Sequence, residues 1–152
     1  MTFFFTCVII GTMSDYLIHF DGSCGPKNPG DSAGWGYTIT KDGIEYDELS
    51  GELKGETFTN NYAEFFALYV GLLRLKPWIK NTDRLFIRGD SKLVINMLRK
   101  KWKAKSGIYY PAYLKAMEQL TAIRRENIPV SLDWVPREMN TKADSLSTTY
   151  RK

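Results

Sequence analysis

The sequence predicts an α/β domain built on a five-stranded mixed sheet: a three-strand antiparallel meander, then parallel strands, with helices on both faces. Three observations carry this. Short apolar or alternating stretches recur between clusters of Gly, Pro, Asn and Asp, the pattern of strands and turns. Lys41-Asp42-Gly43 joins two of these stretches as a hairpin turn. From Thr59 onward, segments of helical period alternate with strands, giving the order β-β-β-α-β-α-α-β-α.

The chain opens on MTFFFTCVIIGTM, a largely apolar stretch of thirteen residues without a charge. This is too short for a bilayer span, which needs about 20 residues. A secretory signal, a peripheral extension and a true start at Met13 all remain open, so residues 1–13 are set apart and 14–152 form one expected domain. Tyr16 to Phe20 is then a nearly continuous apolar run, expected to be covered on both faces. It ends on Asp21 and a turn-forming stretch, GSCGPKNPG.

Ala33 to Thr40 alternates Trp35, Tyr37 and Ile39 with small or polar residues, and Ile44 to Leu53 returns as its partner. Gly34 and Gly36 inside that strand imply a bulge or a close backbone approach. Thr59-Asn60-Asn61 opens a helix in which Glu64 shares a face with Leu68, Leu72 and Leu75. Leu85 to Ile87 is a short buried strand ending near Asp90; Ser91 or Asp90 then caps a helix over 93–98. A basic segment, Arg99 to Lys105 around Trp102, precedes a long helix over 108–125 whose stripe is Tyr113, Ala116, Met117, Leu120 and Ile123. Pro129 to Val135 is the last strand, and Asn140 or Thr141 opens a final helix containing Asp144.

Length and composition narrow the class. With 152 residues, 43% hydrophobic and 25% charged, the chain is globular and long enough for one real core. Net charge of +4 leans mildly towards polyanions. The two cysteines form no CxxC or Cys/His cluster, which argues against zinc and for a reducing, cytoplasmic setting. His19, the single histidine, sits inside an apolar strand, so it reads as a packed core residue and no histidine triad can form.

Four acids then stand out. Asp21 and Asp90 end strands, Glu64 interrupts a leucine face and Asp144 lies near a helix start. The carboxyl ends of parallel strands line a common crevice in α/β sheets. Carboxylates gathered there repel one another unless cations neutralise them, and hard oxygen donors suit Mg or Mn. For each acid taken alone, capping a turn or helix remains an alternative.

The chain also resembles type 1 ribonuclease H, of ribonuclease H-like fold. The resemblance rests on DGS with NPG (Asp21 to Gly30), TNNxAE (Thr59 to Glu64), GDS (Gly89 to Ser91) and WVPRExNxxAD (Trp134 to Asp144), in the family's order. It implies an endonuclease that hydrolyses the RNA strand of RNA–DNA hybrids, leaving a 5′-phosphate. Asp21, Glu64, Asp90 and Asp144 would be the catalytic, metal-binding tetrad, with Asp21 bridging two Mg ions and Mn a possible substitute. It further implies RNA-strand contacts at Cys24, Asn28, Asn60 and Asn61, and DNA-strand contacts at Thr59, Lys100, Lys101, Trp102 and Lys103. Capping is the alternative for Asn60 and Asn61, and a solvated charged surface the alternative for the lysines. Many relatives carry a histidine in the loop before the last aspartate; here the loop is Pro136 to Asn140, and Glu138 is expected to assist proton transfer or product release. A monomer with no membrane partner is expected. Integrase-like DNA nucleases and non-catalytic binding modules of the same fold are the competing readings.

Overall fold

The computed structural model describes residues 13–104 and 106–150. Residues 1–12, with Cys7, and Lys105 of the basic segment lie outside the described residues, so the expectation for the opening segment is not addressed.

Strands β1 (Asp15–Cys24), β2 (Gly30–Lys41), β3 (Ile44–Phe58), β4 (Arg84–Gly89) and β5 (Val130–Trp134) form one sheet in the order β3-β2-β1-β4-β5. The first three are antiparallel; β4 runs parallel to β1, and β5 parallel to β4. The helices are α1 (Asn60–Leu75), α2 (Lys92–Leu98), α3 (Tyr110–Arg125) and α4 (Thr141–Ser147). A 3-10 turn, Arg137–Met139, precedes α4. The expected element order and the meander are both present. Asp42 (φ 52°) and Gly43 (φ 80°) occupy the left-handed region that a two-residue hairpin of this twist demands.

The strand period divides the sheet cleanly. Tyr16, Ile18 and Phe20 of β1, Trp35, Tyr37 and Ile39 of β2, and Leu85 and Ile87 of β4 are buried together with Phe65, Leu68, Leu72 and Leu75 of α1. Gly71 lets α1 lie close on this face, since a Cβ there would come within 3.2 Å of the Tyr37 ring. α3 packs on α1, with Phe65 and Tyr113 edge to face at 5.4 Å. The expected α3 stripe is buried except for Tyr113, which is half-exposed at its edge.

The opposite face is covered by α4. A Cβ on Gly34 would lie 1.9 Å from the Ser147 carbonyl oxygen, and one on Gly36 would lie 2.5 Å from Leu146 Cβ. The two glycines therefore mark a close approach, not a bulge. Because α4 is short and packs against β1, β2 and β3, Leu17, His19 and Phe86 remain only half-buried. His19 is thus not a core residue: it stands on the α4 side of the sheet, where partial burial and nearby Arg88 hold its pKa low.

Three strand boundaries differ from expectation by three residues or more, and β2 is one of them, beginning at Gly30 and not Ala33. β1 continues through Asp21 to Cys24, paired with β2 from Asp21↔Gly36 to Cys24↔Ala33. β3 runs on from Leu53 to Phe58 as an edge strand, whose exposed Lys54 to Thr57 carry no apolar alternation to announce it.

Candidate active site

The parallel pairing of β1 with β4 stops at His19↔Arg88, so Asp21 and Asp90 project just beyond the point where the two strands part. Asp21 shares the face of His19, towards α4. Gly22, next along, turns the other way and gives α1 its place: a Cβ there would fall 2.2 Å from the Glu64 backbone nitrogen. That absence of a side chain brings the first turn of α1 against β1 and delivers Glu64 beside Asp21. Thr59 caps α1, accepting from Tyr62 N at 3.1 Å, and Ser91 caps α2, accepting from Val94 N at 3.2 Å. With Ser91 as the cap, the Asp90 side chain is left to the cleft.

One carboxylate oxygen from each of Asp21, Glu64 and Asp90 lies within 4.8 Å of the others. Asp144, in the first turn of α4, lines the same cleft of about 360 Å³ together with Gly22, Ser23, Asn60 and Arg137. All four predicted acids therefore meet. The electrostatics follow from this crowding. Burial and then the Asp90 charge push the Asp21 carboxyl up to about 7, with Ser147 opposing and Asp144 adding to the shift. Glu64 is held well above the carboxylate range by burial, then by Asp21 and Asp90, with Ser91 opposing. Asp90 is raised by burial, against the pull of Asn140 and Arg137.

The residues present fit hard divalent ions. Glu64 is 8% exposed, and its Oε2 has no hydrogen-bond partner although it is buried. An orphaned carboxylate oxygen beside two more carboxylates is costly for the protein alone and favourable for a cation. The donor set is all oxygen, as Mg and Mn prefer.

Three supporting residues were not anticipated. Asn140, 1% exposed, donates from Nδ2 to the Phe20 carbonyl at 3.0 Å and to Asp90 Oδ2 at 3.3 Å. Ser147 Oγ has two acceptors, Asp21 Oδ2 at 2.9 Å and the Asp144 carbonyl at 2.8 Å; with one proton it serves one at a time. Arg137 donates from Nη2 to Asp144 Oδ1 at 3.0 Å. Glu138 is exposed on the same turn and is not among the cleft-lining residues. The outer side of Asp90 is fixed by Trp134, whose Nε1 donates to the Asp90 carbonyl at 3.0 Å, while Lys92 Nζ lies 4.7 Å from the Trp134 ring centre.

The predicted nucleic-acid contacts fall into two groups. Asn60 Oδ1 accepts from Cys24 N at 2.7 Å, and Asn28 Oδ1 accepts from Asn60 N at 3.2 Å, which ties the loop after β1 to the start of α1. Cys24 is buried, its thiol 3.1 Å from the Lys27 carbonyl, so its exposed neighbours form the surface there. Asn61 is half-buried in the first turn of α1. The second group lies apart: Lys100, Lys101, Trp102 and Lys103, all exposed, line a concavity of about 410 Å³ with Ala104, Tyr110 and Tyr113. It shares no lining residue with the acidic cleft.

A family model described as RNase H matches residues 13–150, nearly the whole chain. The chain belongs to the RNase H family. Among solved structures, RNase H1 of Halobacterium salinarum superposes with a TM-score of 0.74 at 29% identity, over 88% of this chain and 95% of that one. LC11-RNase H1, isolated from compost and solved in complex with an RNA/DNA hybrid, gives 0.74 at 26% identity, over 88% and 94%. A bifunctional protein of Mycobacterium tuberculosis is 34% identical over 90 residues, which are 59% of this chain but 23% of that protein's length. This RNase H domain thus aligns with only a part of that larger relative. Among the described residues, no helix is long and apolar enough to cross a membrane.

Proposed function

We propose that the chain is a divalent-metal-dependent endonuclease that hydrolyses the RNA strand of RNA–DNA hybrids. The observation that carries this is the meeting of Asp21, Glu64 and Asp90 within 4.8 Å, with Asp144 on the same cleft, in a chain of the RNase H family. The hybrid in the LC11-RNase H1 structure supports the choice of substrate.

In this reading Asp21, Glu64 and Asp90 would hold one Mg ion, and Asp21 and Asp144 a second, with Mn as a substitute. When bound, two such ions would supply an activated water and stabilise the attacking and leaving oxygens of an in-line displacement. The chain's own work is positional. Asn140 and Ser147 aim Asp90 and Asp21, and Gly22 keeps Glu64 within reach. Asn60 lines the cleft and Asn28 accepts from its backbone N–H; these two, with Asn61 and the loop around Cys24, would read ribose 2′-hydroxyls of the RNA strand. Thr59 and the Trp102 concavity with Lys100, Lys101 and Lys103 would take the DNA strand, the lysines by phosphate charge and the ring by packing. Glu138 would assist proton transfer or product release from the exposed turn. A monomer suffices for this chemistry.

The test is cleavage of a strand-labelled RNA–DNA hybrid with Mg, with Mn and with EDTA, beside single-stranded RNA, double-stranded RNA and double-stranded DNA. Metal-dependent cutting of the hybrid's RNA strand alone is the expected result. Cutting of DNA would instead place the chain with integrase-like nucleases, and no cutting by folded protein would leave a binding module.

A further inference from the structure

We propose that Arg137 is a built-in counter-ion that occupies Asp144 and competes with the second divalent ion for it. The inference rests on the metal-dependent reading above and concerns the order in which that site fills. Asp21, Glu64 and Asp90 turn ligand oxygens towards one another, whereas Asp144 Oδ1 accepts a hydrogen bond from the Arg137 guanidinium at 3.0 Å. The acid reserved for the second ion is therefore already engaged by a cation of the protein.

The anchoring of Arg137 suits a displaceable partner. Its backbone is held in the 3-10 turn, where Met139 N donates to the Pro136 carbonyl and Asn140 N donates to the Arg137 carbonyl, each at 2.9 Å. Asn140 pins the end of that turn to β1 through the Phe20 carbonyl. The Arg137 side chain, by contrast, is 74% exposed, against 29% for Asp144. A fixed base with a solvated tip lets the guanidinium swing away without disturbing the acids. An exposed ion pair is weak enough for a divalent ion to displace, and strong enough to hold Asp144 ready in the ion's absence. Among the described residues no cation is paired with the three converging acids that would hold the first ion; the Arg137 charge reaches Asp90 only at longer range. The two sites are thereby made unequal by one arginine, a positioning residue that acts through Asp144.

The experiment is calorimetric titration of metal-free protein with Mn²⁺, comparing wild type with R137Q, R137K, D144N and the D144N/R137Q double variant. R137Q should bind the weaker Mn²⁺ about two- to fivefold more tightly, the range of an exposed ion pair, or take a second ion where wild type takes one. The tighter ion should change less, R137K should fall between, and R137Q should have no such effect on the D144N background. Equal stoichiometry and affinity in wild type and R137Q would overturn the proposal. So would an equal strengthening by R137Q with and without Asp144, because that is only the loss of a positive charge. Binding of no ion by any folded variant would remove the metal reading itself, and this inference with it.

Discussion

Both ends of the sheet carry aspartates, and the two ends treat them in opposite ways. Where β1 and β4 begin, every acid is matched. Asp15 takes two hydrogen bonds from Arg84, each at 2.8 Å. Asp83, 6% exposed, accepts from Ser14 N at 3.0 Å and from Lys80 N at 2.9 Å, and Asp42 accepts from Asp15 N at 2.8 Å. Where the same strands end, Asp21, Glu64 and Asp90 face one another, and a buried oxygen of Glu64 is left without a partner. One end uses carboxylates to close the fold; the other holds them against their mutual repulsion, an arrangement that a bound cation would relieve. Acids alone do not mark a site. Acids left unmatched do.

Substitutions can break this comparison, and the largest effect belongs to Asp21. Asp21→Asn should reduce hybrid cleavage by at least about a hundredfold, since even groups that merely orient metal ligands account for about 10–100-fold. Steady-state cleavage with Mg is the measurement, and circular dichroism checks that the variant is folded.

Asn140 belongs to both classes, because one amide joins β1 to Asp90. Asn140→Ala should lower cleavage about 10–100-fold and also destabilise the fold by about 1–3 kcal/mol, read by urea unfolding. At the matched end the two effects should separate. Asp83→Ala leaves two buried or half-buried N–H groups without their acceptor and should lose about 1–3 kcal/mol of stability, with cleavage per folded molecule unchanged. The smallest effect is expected for Arg84→Ala, whose pair with Asp15 is exposed: under about 1 kcal/mol, weakening further with salt, and no change in cleavage.

How much of this could be read beforehand follows the range of the interactions involved. The hairpin at Asp42-Gly43, the helix face of Leu68, Leu72 and Leu75, and the cap at Thr59 are local patterns, and they stand where expected. The four acids were legible because each occupies an odd place in a local pattern, such as an acid on a leucine face. Asn140 and Ser147 were not, because their chemistry lies 50 and 126 residues away, at Asp90 and Asp21. Asn140 was visible as a helix opener and as a letter of the WVPRExNxxAD motif, not as a partner of Asp90. Gly34 and Gly36 did signal that some backbone comes close, without saying that it is Leu146 and Ser147. Arg137 lies next to Glu138, the expected helper, and only the turn geometry decides which of the two lines the cleft. β1 was ended too early because a carboxylate followed by glycine looks like a turn, whereas β2 pairs with both residues and continues the strand.

The acidic end is held at the expense of stability, which a bound ion would offset, and melting temperature tests this most directly. Asp21 is raised from an ordinary 3.8 to about 7, so between those values the fold keeps a proton that the unfolded chain has released. Its stabilising share is complete below about pH 4 and lost above about pH 7. Metal-free wild type and D21N should therefore melt alike near pH 4, diverge in favour of D21N as the pH rises to 7, and hold that gap at pH 8. Adding Mn²⁺ at pH 8 should raise the wild type more than D21N and so narrow or close the gap. A D21N variant that melts below metal-free wild type at pH 8 would contradict the account, because Asp21 would then be a stabilising residue like Asp83.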